Sequence, residues 1–118
     1  MSRDWRAFLD DLIEHLEYVV RFTSDVTFEE FAGNTEKYLA VTRAFEIAGE
    51  AAKQVPADVR ARHPEVDWKG LTGFRDILAH AYFRLEAEIV WDAAIQSAPP
   101  TLAHAKRLLA IAEQEDPA

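Results

Sequence analysis

The stretch WRAFLDDLIEHLEYVV, residues 5–20, decides the fold class. Its apolar residues recur every three or four positions, which places them along one face of an α-helix; they are Trp5, Phe8, Leu9, Leu12, Ile13, Leu16, Val19 and Val20. The opposite face carries carboxylates such as Asp10 and Glu14. The spacing predicts an amphipathic helix of about five turns, which must bury its apolar face against other helices.

The rest of the chain has the same helical character. Thr27 and Glu30 match a capping box, Pro56 predicts a helix end, and Pro99-Pro100 predicts a joint because proline lacks the backbone N–H. The predicted helices are Phe28–Ala32, Glu36–Gln54, Ala57–Arg62, Trp68–Ala81, Glu86–Ser97 and a last one after the prolines. No period-2 alternation predicts a strand. We therefore predict one domain over residues 1–118, an all-α, up-and-down four-helix bundle with short additional helices.

Composition excludes several classes of protein. The 118 residues contain no Cys, which excludes a disulfide framework or a thiolate site. No apolar run approaches the roughly 18 residues of a membrane span, and the start does not resemble a signal peptide, so we expect a cytoplasmic protein without a membrane partner.

The charge is acidic but unevenly distributed. The net charge of −8 argues against binding to duplex DNA, and no sequence-specific DNA contact is expected. Residues 53–84, however, contain six bases and four acids, a local balance of +2. This asymmetry could steer a polyanion to that segment, although on charge alone ordinary solvated helix faces are the favoured explanation.

The stretch FRDILAHAYF, residues 74–83, holds the residues best suited to chemistry. The His80 imidazole can accept or donate a proton near neutral pH, and the Arg75 guanidinium can bind a phosphate through two hydrogen bonds. Tyr82 adds a hydroxyl and a ring on which an unstacked base could lie. The sequence has no H-E-x-x-H motif, Gly-rich phosphate loop or nucleophile elbow, so we predict no metal and no cofactor.

Helical geometry restricts how these residues can meet. Arg75 and His80 lie about 140° apart around a continuous helix, whereas Asp76 and His80 share a face and could pair. Arg75 and His80 can converge only if the helix ends or distorts near Ala79, or if a second protomer supplies one of them. A twofold dimer would bring two copies of the segment together. Four neighbouring residues could form a close-packing surface for such a dimer, or could equally be buried within the monomer: Gly70, Leu71, Gly73 and Phe74.

The arrangement Arg75-x4-His80-x-Tyr82 resembles the R-x4-6-H motif of the HEPN superfamily, in the R-x4-H-x-Y form of HepT-like proteins. The resemblance extends over nearly the whole chain. It includes residues 8–13, 27–31, 45–53, 63–68 and 85–92.

This resemblance implies a HEPN-like, all-helical homodimer that cleaves RNA as a metal-independent endoribonuclease. It implies the toxin of a type VII, HepT/MntA-like toxin–antitoxin system. By the motif, Arg75 and His80 are the active-site pair and Asp76 is a supporting residue that could orient His80. Tyr82 matches the tyrosine to which an MntA-like minimal nucleotidyltransferase antitoxin transfers AMP, which silences the toxin.

Two other interpretations stay open. One is a non-catalytic helical module that docks the nucleotidyltransferase and accepts AMP on Tyr82, which the acidic net charge favours slightly. The other is a structural bundle in which Arg75, Asp76 and His80 form only an interface network.

Overall fold

Seven α-helices, numbered α1 to α7, account for most of the described part of the chain, residues 4–80 and 85–115, in this computed structural model. They are α1 (Trp5–Thr23), α2 (Phe28–Ala32), α3 (Thr35–Gln54), α4 (Ala57–Arg62), α5 (Trp68–His80), α6 (Ala87–Asp92) and α7 (Ala98–Glu115), with a π-helical segment (Ala93–Ser97) between α6 and α7. No strand occurs in these residues, so the predicted all-α class is confirmed. None of the described helices is long and apolar enough to cross a membrane.

Helix α1 begins and packs as its sequence predicts. The Asp4 carboxylate accepts a hydrogen bond of 2.9 Å from the backbone N–H of Arg6 and so caps the helix. Leu9, Leu12 and Leu16 are completely buried, in the core that α1 forms with α3 and α7. The apolar stripe therefore supplies the main packing surface of the bundle.

Helix α3 lies between α1 and α5 and contacts both extensively. Asn34 caps its start by accepting from the N–H of Lys37 at 3.0 Å, and Pro56 follows shortly after its end at Gln54. The short α2 begins with the predicted capping box, in which Thr27 and Glu30 each bond to the other's backbone N–H. Small buried residues on α3, such as Ala48, Gly49 and Ala52, allow the neighbouring helices to approach closely.

The joint predicted at Pro99-Pro100 takes the form of a π-helical segment just before the prolines, and not of a break between two helices. The chain is continuously helical from Ala87 to Glu115, and the irregularity comes one turn earlier, in the π-helical segment. There the N–H of Ala98 bonds to the carbonyl of Ala93, five residues back. This wider turn accommodates the proline rings and their missing N–H groups, so the helix does not break. With α1, α3 and α5, this long helix completes the four main helices, to which α2 and α4 are the short additions.

Candidate active site

Helix α5 is anchored at its start and increasingly exposed towards its end. The Asp67 carboxylate accepts from the N–H of Gly70 at 3.0 Å, and Trp68 Nε1 donates to the carbonyl of His63 at 2.9 Å. Trp68 and Leu71 are the buried residues of α5. Beyond Leu71 the helix presents half-buried or exposed side chains, and these include all the described candidate residues.

Arg75 packs against α3 at Gly49, and no residue larger than glycine fits at position 49. A Cβ atom on Gly49 would come within 2.3 Å of the Arg75 Cβ and 2.6 Å of the Leu71 carbonyl oxygen, much closer than real carbon atoms approach. The guanidinium is held on two sides: Nε lies 3.1 Å from Glu50 Oε2, and Nη1 donates to Asp76 Oδ1 at 3.1 Å. The Arg75 side chain, 26% exposed, is therefore oriented by both α3 and α5.

The Asp76 carboxylate joins two cations. Its Oδ1 accepts from Arg75 and also from the ammonium of Lys53 on α3. These hydrogen bonds, with Lys53 contributing most, hold the pKa of Asp76 below its ordinary value. Asp76 is therefore ionised at neutral pH.

His80 is exposed and contacts Asp76 through the main chain. Its Nδ1 lies 2.9 Å from the Asp76 carbonyl oxygen, the partner expected for a histidine four residues later on a helix. In the neutral tautomer that donates from Nδ1, the lone pair of Nε2 faces solvent and can accept a proton. The Asp76 carboxylate points instead to α3, because two cations hold it there.

Within one protomer the structure does not bring the Arg75 and His80 side chains together. Helix α5 is regular through Ala79 to its last residue, His80, so the two side chains stay on different sides of the helix. Arg75 turns to α3 and His80 to solvent. Tyr82 and Ala81, the predicted last residue of this helix, lie outside the described residues.

The proposed close-packing surface is divided between core and solvent. Leu71 is buried within the monomer. The half-buried Phe74 packs edge-on against Phe45, with 5.0 Å between the two ring centroids. Gly73 faces open space, and Ile77 one turn later is 54% exposed. The exposed apolar part of α5 thus lies beside the candidate residues.

Two residues of α3 that border this site, Glu50 and Lys53, were not assigned a role from the sequence. They are three residues apart and share a helix face. This spacing shows that the two side chains lie on one face of α3, but it does not show which helix packs against that face.

A cleft lies next to Arg75 on the protein surface. A cleft of about 270 Å³ between α1 and α3 has Arg75 and Glu50 on its wall, together with Phe8, Arg43 and Gln54. In the described part of the chain, no three His, Asp or Glu side chains are grouped so as to hold a metal ion. The site therefore offers the imidazole of His80 as a proton acceptor, and the side chains of Arg75 and Lys53 as cations held in place by carboxylates.

Comparison with known proteins gives consistent matches. A family model described as "Ribonuclease HepT-like" matches residues 12–108. "Putative RNase MJ0127" from Methanocaldococcus jannaschii is 39% identical over 115 residues, which cover 98% of this chain and 95% of that protein. "Probable ribonuclease HepT" from Thermococcus cleftensis is 36% identical over 99 residues, 84% of this chain and 90% of that protein. No solved structure matches the chain.

Proposed function

The chain belongs to the HepT-like ribonuclease family, and from this premise we propose that it is a metal-independent endoribonuclease of the cytoplasm. We further propose that it is the toxin of a type VII, HepT/MntA-like toxin–antitoxin pair. The observation that carries the proposal is the linkage of the motif residues through Asp76. Its carboxylate binds Arg75, and its carbonyl contacts His80.

The proposed reaction needs one base, one acid and a cation. Nε2 of His80 removes the proton of a ribose 2′-hydroxyl, whose oxygen attacks the adjacent phosphorus. Arg75 hydrogen-bonds to the non-bridging oxygens, where negative charge increases in the transition state. The bond to the 5′-oxygen breaks, and that oxygen takes a proton from a water molecule, while the imidazolium of His80 returns its proton to the hydroxide that forms. The products are a 2′,3′-cyclic phosphate and a free 5′-hydroxyl.

A homodimer would join the two halves of the site. The support for it is the exposed apolar face of α5 at Gly73 and Ile77, next to Arg75 and His80. Two copies related by a twofold axis along this face would bring one copy's Arg75 towards the other's His80. The shared cleft would bind a single RNA strand.

Regulation would act on Tyr82, two residues after His80 in the sequence. An MntA-like nucleotidyltransferase would transfer AMP from a nucleoside triphosphate to the Tyr82 hydroxyl and release pyrophosphate. The added phosphodiester carries a negative charge, which would repel the RNA backbone at the active site. Intact mass of the protein before and after incubation with the nucleotidyltransferase and ATP measures this transfer.

The test of the ribonuclease is RNA cleavage in EDTA by the parent protein and by His80→Ala, with unmodified Tyr82 confirmed by intact mass. We expect the variant to lose about 10²- to 10⁴-fold in rate, the usual contribution of general acid–base catalysis. His104→Ala, which removes a histidine on α7, is the matched control and should cleave at the parent's rate. Undiminished cleavage by His80→Ala would overturn the mechanism.

One alternative has an observation in its favour. Arg75 is already paired with two carboxylates, and the net charge of the protein is −8, both of which disfavour RNA binding. The alternative is a non-catalytic module that docks the nucleotidyltransferase. A folded, unmodified parent that accepts AMP on Tyr82 but cleaves no RNA, tRNA included, would support it.

A further inference from the structure

We propose that Lys53 is a second phosphate-binding residue, which contacts the RNA backbone beside the phosphate held by Arg75. This inference rests on the proposed ribonuclease function. It begins from a contact outside the motif, between the Lys53 ammonium on α3 and Asp76 Oδ1 on α5.

The position of Lys53 follows from the shared acceptor. Arg75 Nη1 and Lys53 Nζ both donate to Asp76 Oδ1. Two donors on one acceptor lie at most about 6 Å apart, twice the length of a hydrogen bond. A guanidinium and an ammonium at this spacing can contact the same short stretch of an RNA backbone.

Both cations keep donors for a ligand. An ammonium has three N–H groups, and the described contacts of Lys53 use one of them, on Asp76. A guanidinium has five, and Arg75 uses Nε on Glu50 and one N–H of Nη1 on Asp76. The side chains of Lys53 and Arg75 are 33% and 26% exposed, so a ligand can reach them from solvent.

Lys53 contributes little to folding stability but changes the net charge at the site. An ion pair exposed to this degree contributes little to folding, and Arg75 alone would neutralise Asp76. Without Lys53, the group formed by Arg75, Asp76 and Glu50 carries a net charge of −1 and repels phosphate. With Lys53 the group is neutral, and the protonated His80 of the catalytic cycle then makes it positive.

The first test is RNA binding by Lys53→Met in a His80→Ala background, which prevents cleavage. The probe is a fluorescent single-stranded RNA oligonucleotide, measured by anisotropy over a series of salt concentrations. Loss of one phosphate contact should weaken binding about tenfold at low salt and reduce the slope of log K against log[salt] by about 0.7. Lys53→Arg should restore most of the affinity.

The matched control is Lys106→Met, which removes another interhelical lysine–carboxylate pair, between Lys106 on α7 and Glu17 on α1. It should leave the salt slope unchanged. An unchanged slope and affinity in Lys53→Met would overturn the proposal.

A second background separates direct contact from an effect through Asp76. If Lys53 acts only by fixing Asp76, then Lys53→Met has no further effect on RNA binding once Asp76→Asn is present, and the proposal fails. If Lys53 binds phosphate, the loss of affinity and slope persists in that background. In cleavage assays with His80 intact, Lys53→Met should raise KM and change kcat little.

The parent protein is assayed in parallel, so the two proposals can fail separately. If the parent cleaves RNA and Lys53→Met matches it in binding and KM, the ribonuclease stands and the role of Lys53 falls. If the parent neither binds nor cleaves RNA, both fall.

Discussion

Helices α1 and α5 are both amphipathic, but they use their apolar residues differently. In α1 the central part of the apolar stripe is buried within the monomer, and Leu9, Leu12, Leu16 and Val19 have no exposed surface. In α5 burial stops at Leu71, and the following residues include a glycine in open space and an isoleucine that is 54% exposed. Arg75 and Asp76 of α5 bond to α3 and to each other, and His80 contacts the main chain.

The difference separates the residues that maintain the fold from those that are free for function. Packing explains every apolar residue on the buried face of α1. Packing within one protomer does not explain Gly73, Ile77 or the exposed imidazole of His80. We therefore propose the second half of α5 as the surface that contacts RNA and a second copy.

The largest expected effect is on stability, from a matched pair of truncations in the two helices. Leu16→Ala should lower the free energy of unfolding by about 2–5 kcal/mol, because it leaves a cavity in the core. Ile77→Ala should change it by less than about 0.5 kcal/mol in dilute, monomeric protein, and should instead weaken self-association. Urea unfolding and sedimentation equilibrium measure the two effects. Equal losses of stability would contradict the distinction between the helices.

The next effect is on activity alone. Arg75→Lys keeps the charge but loses the forked geometry, so cleavage should fall about 10²-fold with the melting temperature unchanged. Arg107→Lys on α7 is the control for an arginine outside the site. Full activity in Arg75→Lys would show that a point charge is sufficient and that the contacts to Glu50 and Asp76 do not matter.

Gly49→Ala tests how closely α5 must approach α3. The new Cβ would overlap Arg75, so we expect a loss of about 1–3 kcal/mol in stability and displacement of the guanidinium. Gly73→Ala, which meets nothing within 4 Å, should instead gain up to about 1 kcal/mol from helix propensity. Thermal unfolding and cleavage rates of both variants are the measurement. Equal behaviour of the two would refute the close approach.

The smallest effect concerns acid stability at the start of α1. The hydrogen bonds from Arg6 lower the pKa of Asp4 from 3.8 to about 2. A carboxyl group whose pKa is lower in the folded state stabilises the protein at pH values above its unfolded-state pKa. This stabilisation is lost as the pH falls from 3.8 towards 2. Asp4→Asn should therefore have a slightly lower melting temperature than the parent at pH 7 and the same one near pH 2. A difference that stays constant over this range would contradict the assignment.

The sequence predicted the features that depend on local pattern. The stripe of α1 and the capping box of Thr27 and Glu30 are set by residues a few positions apart, and both are confirmed. A joint at Pro99-Pro100 was predicted, but its π-helical form was not, because the turn that accommodates the prolines depends on the backbone before them. The contact of Lys53 with Asp76 joins residues 23 apart in the chain, and its register is set by the packing of two helices. No local pattern specifies that register.

The most direct test of the account is complementation between two inactive variants. Arg75→Ala and His80→Ala are co-expressed with different tags, and the mixed dimer is purified through both tags and assayed for RNA cleavage in EDTA. If each site takes its arginine from one copy and its histidine from the other, the mixed dimer has one intact site. We expect about half of the parent's activity per dimer. A mixed dimer as inactive as the single variants, beside an active parent, would contradict a site shared between two copies.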